Sequence, residues 1–419
     1  MIVFSHPTGN ANARQAAIAL AEAGMLNEFW TCIDWNPDSI ANRLMPSGWR
    51  EQLGRRVLPA ILRERSRTRP FHELARHLCA RIGWEALVRH ERGLFCVDAV
   101  YKDLDRHVAD EVKKRANLTG VYCYEDGAAA TFSAARRRGA CCIYDLPIGY
   151  WRAAQEIYAD ESEREPEWSS TLSGSFDSLE KLARKDVELE MADVVVVASN
   201  FTRQTLGYSK LPAKPVVVIP YGSPNLRRES VSQANGGALR VLFVGSLGQR
   251  KGLTYLLEAV RMLGPSVELT MLGRKVVETC RPLNGATKRH RWIPSLPHAE
   301  VLEEMNRHDV MVFPSLFEGF GLVILEAMSQ GLPVITTPHT GGPDVIDNGQ
   351  NGFLVPIRSA EAIAARLEEL VENVDRLRAM KHAALRKAEL FAWQSYRNKL
   401  VTAISAVVYP KEVAQAEAK

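Results

Sequence analysis

The chain has 419 residues, of which 46% are hydrophobic and 24% charged, and it carries a net charge of +4. That length suits two domains rather than one core, and the composition is that of a folded globular protein rather than a disordered one. The charge is too small to argue for nucleic acid, and no run of ~18 apolar residues is present to serve as a membrane-spanning helix.

In chain order, "MIVFSHPTGNANARQAAIALAEAG" predicts a strand, a glycine loop and a helix. It has neither a basic start nor a long apolar core, so it reads as a folded element rather than a signal peptide. "RRVLPAILRERSRTRPFHELARHL", 55–78, mixes seven arginines with apolar residues at helical spacing. It reads as a solvated helical face or, alternatively, as a segment of the basic stretch 50–76 that contacts an anionic membrane or acceptor. Strands are predicted at 120–125, 141–146, 193–199 and 215–220, with a polar loop or short helix over the first domain at 159–178. The aperiodic, glycine-containing stretch 221–240 predicts an interdomain linker. "RVLFVGSLGQRKGLTYLLEAVRML" then repeats the opening grammar, and "VELTMLG", "DVMVFPS" and "LPVITT" predict further strands separated by helices. The strands show little alternation, as expected of parallel strands buried on both faces. The fold class is α/β, with two Rossmann-like, doubly wound domains. The predicted boundaries are 1–222, a linker 223–238, a second domain 239–395, and a terminal helix and tail 396–419 that packs back on the first domain. The seven scattered cysteines contain no C-x-x-C pair; they read as reduced core thiols of a cytoplasmic protein.

Ligands bind beyond the carboxyl ends of parallel strands, so the loops there should carry the chemistry. In "GSLGQRKG", Gly245 and Gly248 allow a tight turn, while Arg250 and Lys251 put two cations near a helix start, an arrangement suited to phosphate. "FPSLFEGFGLVILEAMSQGLPV", 313–334, places Glu318 after a buried strand, with Gly319 and Gly321 letting backbone amides approach a ligand. Glu326 follows in the next helix. Carboxylates there suit sugar or ribose hydroxyls through charge-assisted hydrogen bonds.

These segments resemble the retaining, nucleotide-sugar-dependent glycosyltransferases of the GT-B fold, glycosyltransferase family 4. The E-G-F-G-x-x-x-x-E signature runs here from Glu318 to Glu326. "FVGSLGQRKG", "ADVVVVASNFTRQTL", "VIPYGSP" and "TGGPDVIDNGQNGFLV" are similar to further family segments, and the likeness extends from about 185 to 395. The resemblance implies that Arg250 and Lys251 neutralise the donor pyrophosphate and that Glu318 holds the donor sugar. It also implies that Gly319 and the amides of Phe320, Gly321 and Leu322 meet phosphate and sugar, that Glu326 binds ribose, that Ile293 borders the base, and that Gly9 lets the first loop approach the phosphate. The chain departs from the pattern in three segments. Ser246 replaces a family arginine, Asp145 and Pro147 stand where a histidine is common, and Asp344 replaces a glutamate. Glu318 and Asp145 are the catalytic candidates, and Asn10, Glu125 and Asp126 are acceptor-side candidates.

The implied activity is transfer of a hexosyl-type sugar from a nucleotide-diphosphate donor, such as a UDP-sugar, to a hydroxyl of a glycan, a lipid-linked glycan or a small molecule, as in polysaccharide biosynthesis. The site is expected to need neither metal nor cofactor, the cations Arg250 and Lys251 standing where the donor phosphates need neutralising; metal ligands are none. A binding protein of this fold without activity, or a sugar-nucleotide epimerase, remains an alternative. The expected location is the cytoplasm, with peripheral contact at the inner membrane face as the second reading of the basic segment.

Overall fold

The computed structural model describes residues 1–39, 42, 45, 47–172, 177–227 and 237–409. The expected tail 410–419 and most of the expected linker lie outside them.

Two all-parallel sheets organise the molecule. The first contains β1 (Ile2–Ser5), β2 (Leu26–Thr31), β3 (Ser66–Thr68), β4 (Gly120–Tyr124), β5 (Cys141–Leu146), β6 (Val194–Val197) and β7 (Val216–Val218), in spatial order 3-2-1-4-5-6-7. The second contains β8 (Leu239–Val244), β9 (Val267–Leu272), β10 (Arg291–Ile293), β11 (Val310–Phe313), β12 (Val334–Thr336) and β13 (Gly352–Leu354), in order 10-9-8-11-12-13. Both are doubly wound: the order reverses beside the first strand, and the crevice at that reversal is where such sheets bind ligands. Central strands are buried on both faces. All four valines of β6 are buried, each contributing on the order of 2 kcal/mol of apolar burial. Short side-chain oxygens start several helices: Asn10 caps Ala11–Glu22 through Ala13 N–H, and Ser359 caps Ala360–Glu372 through Ala362 N–H.

The chain crosses back at its end. Helix Trp393–Val408 packs on helix Ala11–Glu22, Arg397 donates to Gln15 at 2.7 Å, and Tyr221 in the crossing segment meets Trp393 and Tyr396.

Two expectations are corrected. The stretch 159–178 does not simply cover the first domain. Its helix Trp151–Arg164 and the 3-10 turn Pro166–Thr171 reach the second, where Trp168 joins the core of Leu239, Val241 and Phe243. Residues 173–176 lie outside the described set. The basic stretch 50–76 is not one amphipathic helix. It contains a short helix Ala60–Arg63, strand β3 and the start of helix Phe71–Arg81. Leu58 and Leu62 are core residues, and Arg63, Arg67 and Arg69 pair with Asp34, Glu28 and Asp103.

Candidate active site

Glu318 sits at the carboxyl end of β11, where the second domain faces the first. Arg250 Nη1 lies 3.1 Å from its carboxylate, and Lys251 Nζ also contacts it. The 3-10 turn Gln249–Lys251 brings both cations there, and Gly252, in the left-handed region, ends it. A side chain at 252 would strike the Pro314 carbonyl. Arg250 is anchored further: its carbonyl accepts from Leu316 N–H, and its guanidinium donates to the Phe317 carbonyl at 2.9 Å. Burial pulls the Lys251 ammonium down to about 8, against the opposing pull of Glu318. Burial also pushes the Glu318 carboxyl up, but Lys251 and Arg250 outweigh it and hold the acid below its usual range. Both groups are therefore charged at neutral pH.

Gly321, with φ of +81°, starts helix Leu322–Ser329. The amides of Phe320, Gly321 and Leu322 donate to no acceptor among the described residues. They form a positive helix end directly after Glu318. Glu326, on this helix, is 3.0 Å from His298 Nε2. The hydrogen bond to Glu326 raises the His298 pKa. Ser246 is exposed in the loop after β8, and Ile293 ends β10 half-buried.

Gly319 lies against the first domain. A Cβ there would stand 1.8 Å from the Pro147 carbonyl oxygen, and the Gly319 carbonyl accepts from Ser199 Oγ and from Thr202 Oγ1, the latter at 2.9 Å. Asp344 likewise bonds across the domains, accepting from Asn200 N–H at 3.1 Å. A third bond set centres on Glu161, which is fully buried. It accepts from Gln249 (2.6 Å), Tyr255 (2.9 Å) and Arg358 (2.6 Å) of the second domain. Ser199, Thr202 and Glu161 were not singled out from the sequence. Each is an ordinary cap or helix residue until the domains meet, and no local signal marks them.

The first-domain candidates separate into three groups. Gly9 has φ of +50°, but its N–H is taken by the ring nitrogen Nδ1 of His6 at 3.0 Å, and Thr8 N–H reaches the same atom at 3.1 Å. Asn10 is occupied as a helix cap. Asp145, a catalytic candidate from the sequence, is fully buried on β5 and accepts from Tyr122 OH at 2.6 Å. The structure does not bring it beside Glu318, whose charged partners are Arg250 and Lys251. Burial pushes its carboxyl up to about 7. Glu125 and Asp126 form a balanced network: Lys185 lies 3.3 Å from Glu125, and Arg184 lies 3.4 Å from Asp126. The hollow between the domains, about 340 Å³, is instead lined by Lys181, Lys185, Asp177 and Tyr158 from the first domain and by Arg250 and Phe317 from the second. A larger hollow, about 780 Å³, lies beside Trp168 between helices Leu253–Leu263 and Arg281–Arg289, away from these charges.

Residues 227–387 match the family model for glycosyl transferases, group 1. Two relatives of known name align with parts of the chain. One is a putative colanic acid biosynthesis glycosyltransferase, WcaL, of Salmonella typhimurium, 33% identical over 33% of this chain and 37% of its own length. The other is a D-inositol 3-phosphate glycosyltransferase of Corynebacterium aurimucosum, 28% identical over 54% of this chain and 60% of its own. The chain thus spans less than two thirds of either. Among solved structures, sucrose-phosphate synthase from Thermosynechococcus elongatus superposes with a TM-score of 0.66 at 17% identity, covering 97% of this chain and 98% of its own. Anabaena HepE in complex with UDP-glucose superposes with a TM-score of 0.62 at 14% identity, covering 97% and 99%. The chain therefore has the two-domain GT-B fold, and its segment 227–387 is of the group 1 glycosyl transferase type.

Proposed function

We propose that the chain is a retaining, metal-independent hexosyltransferase of glycosyltransferase family 4 that moves a sugar from a nucleotide-diphosphate donor, such as a UDP-sugar, to a hydroxyl acceptor. The observation that carries this is the convergence of Arg250 and Lys251 on Glu318, beside three unpaired amides at a helix start. A departing nucleoside diphosphate gains negative charge as the sugar–oxygen bond breaks. Fixed cations and helix-end amides stabilise that charge without reorganising. Glu318, freed from its cations by the incoming pyrophosphate, is placed to hold sugar hydroxyls, and Glu326 to accept from ribose. The acceptor enters the hollow lined by Lys181, Lys185 and Tyr158. Its hydroxyl attacks from the face the leaving phosphate occupies, and a phosphate oxygen takes its proton, so that configuration is kept. Contact of the two domains through Gly319 and Glu161 excludes water that would hydrolyse the donor.

Relatives named for colanic acid, amylovoran and capsular polysaccharide biosynthesis favour a glycan as acceptor. The seven cysteines are all free thiols, in keeping with a cytoplasmic location. Among the described residues no helix is long and apolar enough to cross a membrane.

Release of nucleoside diphosphate from a panel of nucleotide sugars, with and without acceptors and in excess chelator, tests the reading. Turnover should persist in chelator, and the product's anomeric configuration, read by NMR, should match the donor's. Loss of turnover restored by magnesium would remove the metal-free mechanism. Failure of every nucleoside diphosphate to bind in calorimetry would remove the donor site itself.

A further inference from the structure

Helix Phe71–Arg81 is built inside out. Its inward face carries Glu73, 2% exposed, which pairs with Arg56 at 2.8 Å, Arg76 at 2.8 Å and His77 at 3.1 Å. Its outward face carries Phe71, Leu74 and Leu78, a spacing that lines one stripe of a helix, and Ile82 continues the stripe beyond the helix end. Phe71 is 64% exposed, Leu78 50% and nearby Trp84 58%. Leu94 joins the patch, because its neighbour Phe95 packs its ring 5.9 Å from Phe71. Half of the large exposed hydrophobic residues of the described chain fall between 71 and 97, which makes this a patch rather than scattered exposure.

The charge around the stripe is predominantly positive. Between 71 and 84 the sole exposed charged residue is Arg81, which lies over the Trp49 ring at 5.6 Å. Just beyond, Arg89 and Arg92 are exposed together with one acid, Glu85. None of these three arginines has a carboxylate partner among the described residues. A two-fold contact with a second copy would leave three arginines against a single exposed acid, Glu85, on each side. An uncharged apolar partner would leave them uncompensated.

We infer that this face docks on an anionic lipid surface, with Phe71, Leu74, Leu78, Ile82 and Trp84 in the interfacial layer and Arg81, Arg89 and Arg92 against headgroup phosphates. The stripe begins at the carboxyl edge of the first sheet, three residues after β3 ends. Arg56 ties the helix to the first loop, donating to the Thr8 carbonyl at 2.6 Å and to Glu73. A lipid-linked acceptor at the surface would thus lie on the cleft side of the molecule; this purpose rests on the transferase reading, whereas the docking does not.

The test is co-sedimentation of the full chain with vesicles of phosphatidylcholine alone and of phosphatidylcholine mixed with phosphatidylglycerol. The chain should bind the anionic vesicles, more weakly as salt rises. The double variant Leu74→Glu/Leu78→Glu should lose binding by about tenfold or more. Arg89→Gln/Arg92→Gln should lose about tenfold at low salt and flatten the salt dependence. Both variants should keep the wild-type circular dichroism and the wild-type affinity for nucleoside diphosphate, a measurement that tests the transferase reading separately. Negligible binding to both vesicle types overturns the inference, as does binding unchanged in the acid variant. Equal binding to neutral and anionic vesicles removes the role of the arginines. A concentration-dependent dimer that the acid variant abolishes, without vesicle binding, assigns the face to a second copy instead.

Discussion

The first loop of each domain follows the same local grammar of strand, glycine loop and helix, yet the two end in opposite electrostatic states. In the loop after β1, the amides of Thr8 and Gly9 turn inward onto His6, and Asn10 caps its own helix. Little is left there to meet an anion. In the loop after β8, Arg250 and Lys251 converge on Glu318 from the other domain-facing loop. A glycine loop before a helix therefore specifies a turn; the side chains held within it decide whether the turn is a binding site or a self-satisfied corner.

The comparison breaks most readily at Lys251. Lys251→Ala should weaken nucleoside-diphosphate binding by about 1–3 kcal/mol and lower turnover by about 10²–10³, as read by calorimetry and steady-state kinetics. Unchanged affinity would show that the second loop is no more an anion site than the first. The next largest effect is expected where the loops' domains touch. Gly319→Ala puts a methyl group 1.8 Å from the Pro147 oxygen, so the domains must part. Misplacement of that size costs about 10²-fold in rate, and small-angle scattering should show an expanded molecule. Wild-type dimensions together with wild-type rate would mean that the contact does not hold the cleft.

His6 tests the closed loop. His6→Ala removes the ring acceptor of the Thr8 and Gly9 amides, leaving Gly9 only the residue-6 carbonyl at 3.3 Å, and should cost about 1–3 kcal/mol in urea unfolding, with nucleoside-diphosphate affinity nearly unchanged. Burial, aided by the Arg56 charge, lowers the His6 pKa to about 3. Between that value and the ordinary 6.5 the unfolded chain binds the extra proton. Stability from this residue is therefore present above pH 6.5 and is lost as pH falls toward 3; the alanine variant should lack that part of the slope. The smallest effect is expected at Asp145. Its carboxyl is raised from 3.8 to about 7 by burial, so its contribution is fully present below pH 3.8 and is lost as pH rises through 7. Asp145→Asn should remove that decline and gain on the wild type by on the order of 1 kcal/mol at pH 8. A parallel pH profile in the two proteins would show that Asp145 is ionised in the fold at neutral pH.

Much of the architecture is legible in the sequence. Runs such as "VVVV" at 194–197 and "CCIYDL" at 141–146 are strands in the structure because β-branched and apolar residues without alternation suit burial on both faces. The short strands were not legible. β3, "SRT", and β10, "RWI", have three residues each and no pattern of their own; pairing with β2 and β9 makes them strands. In the candidate site, Glu318, Arg250 and Lys251 were legible because loop glycines and charges in an apolar context are local features, and the structure brings these three together.

The remaining residues show what the sequence could not determine alone. Asp145 and Glu318 each follow or end a buried strand and look alike as text. One is enclosed by Tyr122 and its neighbours, and the other meets two cations. Asp344, noted in the sequence only as replacing a glutamate, bonds Asn200 across the cleft, while Glu161, in a polar stretch with nothing to mark it, joins the two domains. The sequence by itself determined which segments are strands, turns and helices over most of the chain, because backbone preference and hydrophobic pattern act over a few residues. Tertiary structure alone decided which charge faces which, because burial and pairing are set by residues 23 to 197 positions away, and a carboxylate's chemistry follows from its neighbours in space.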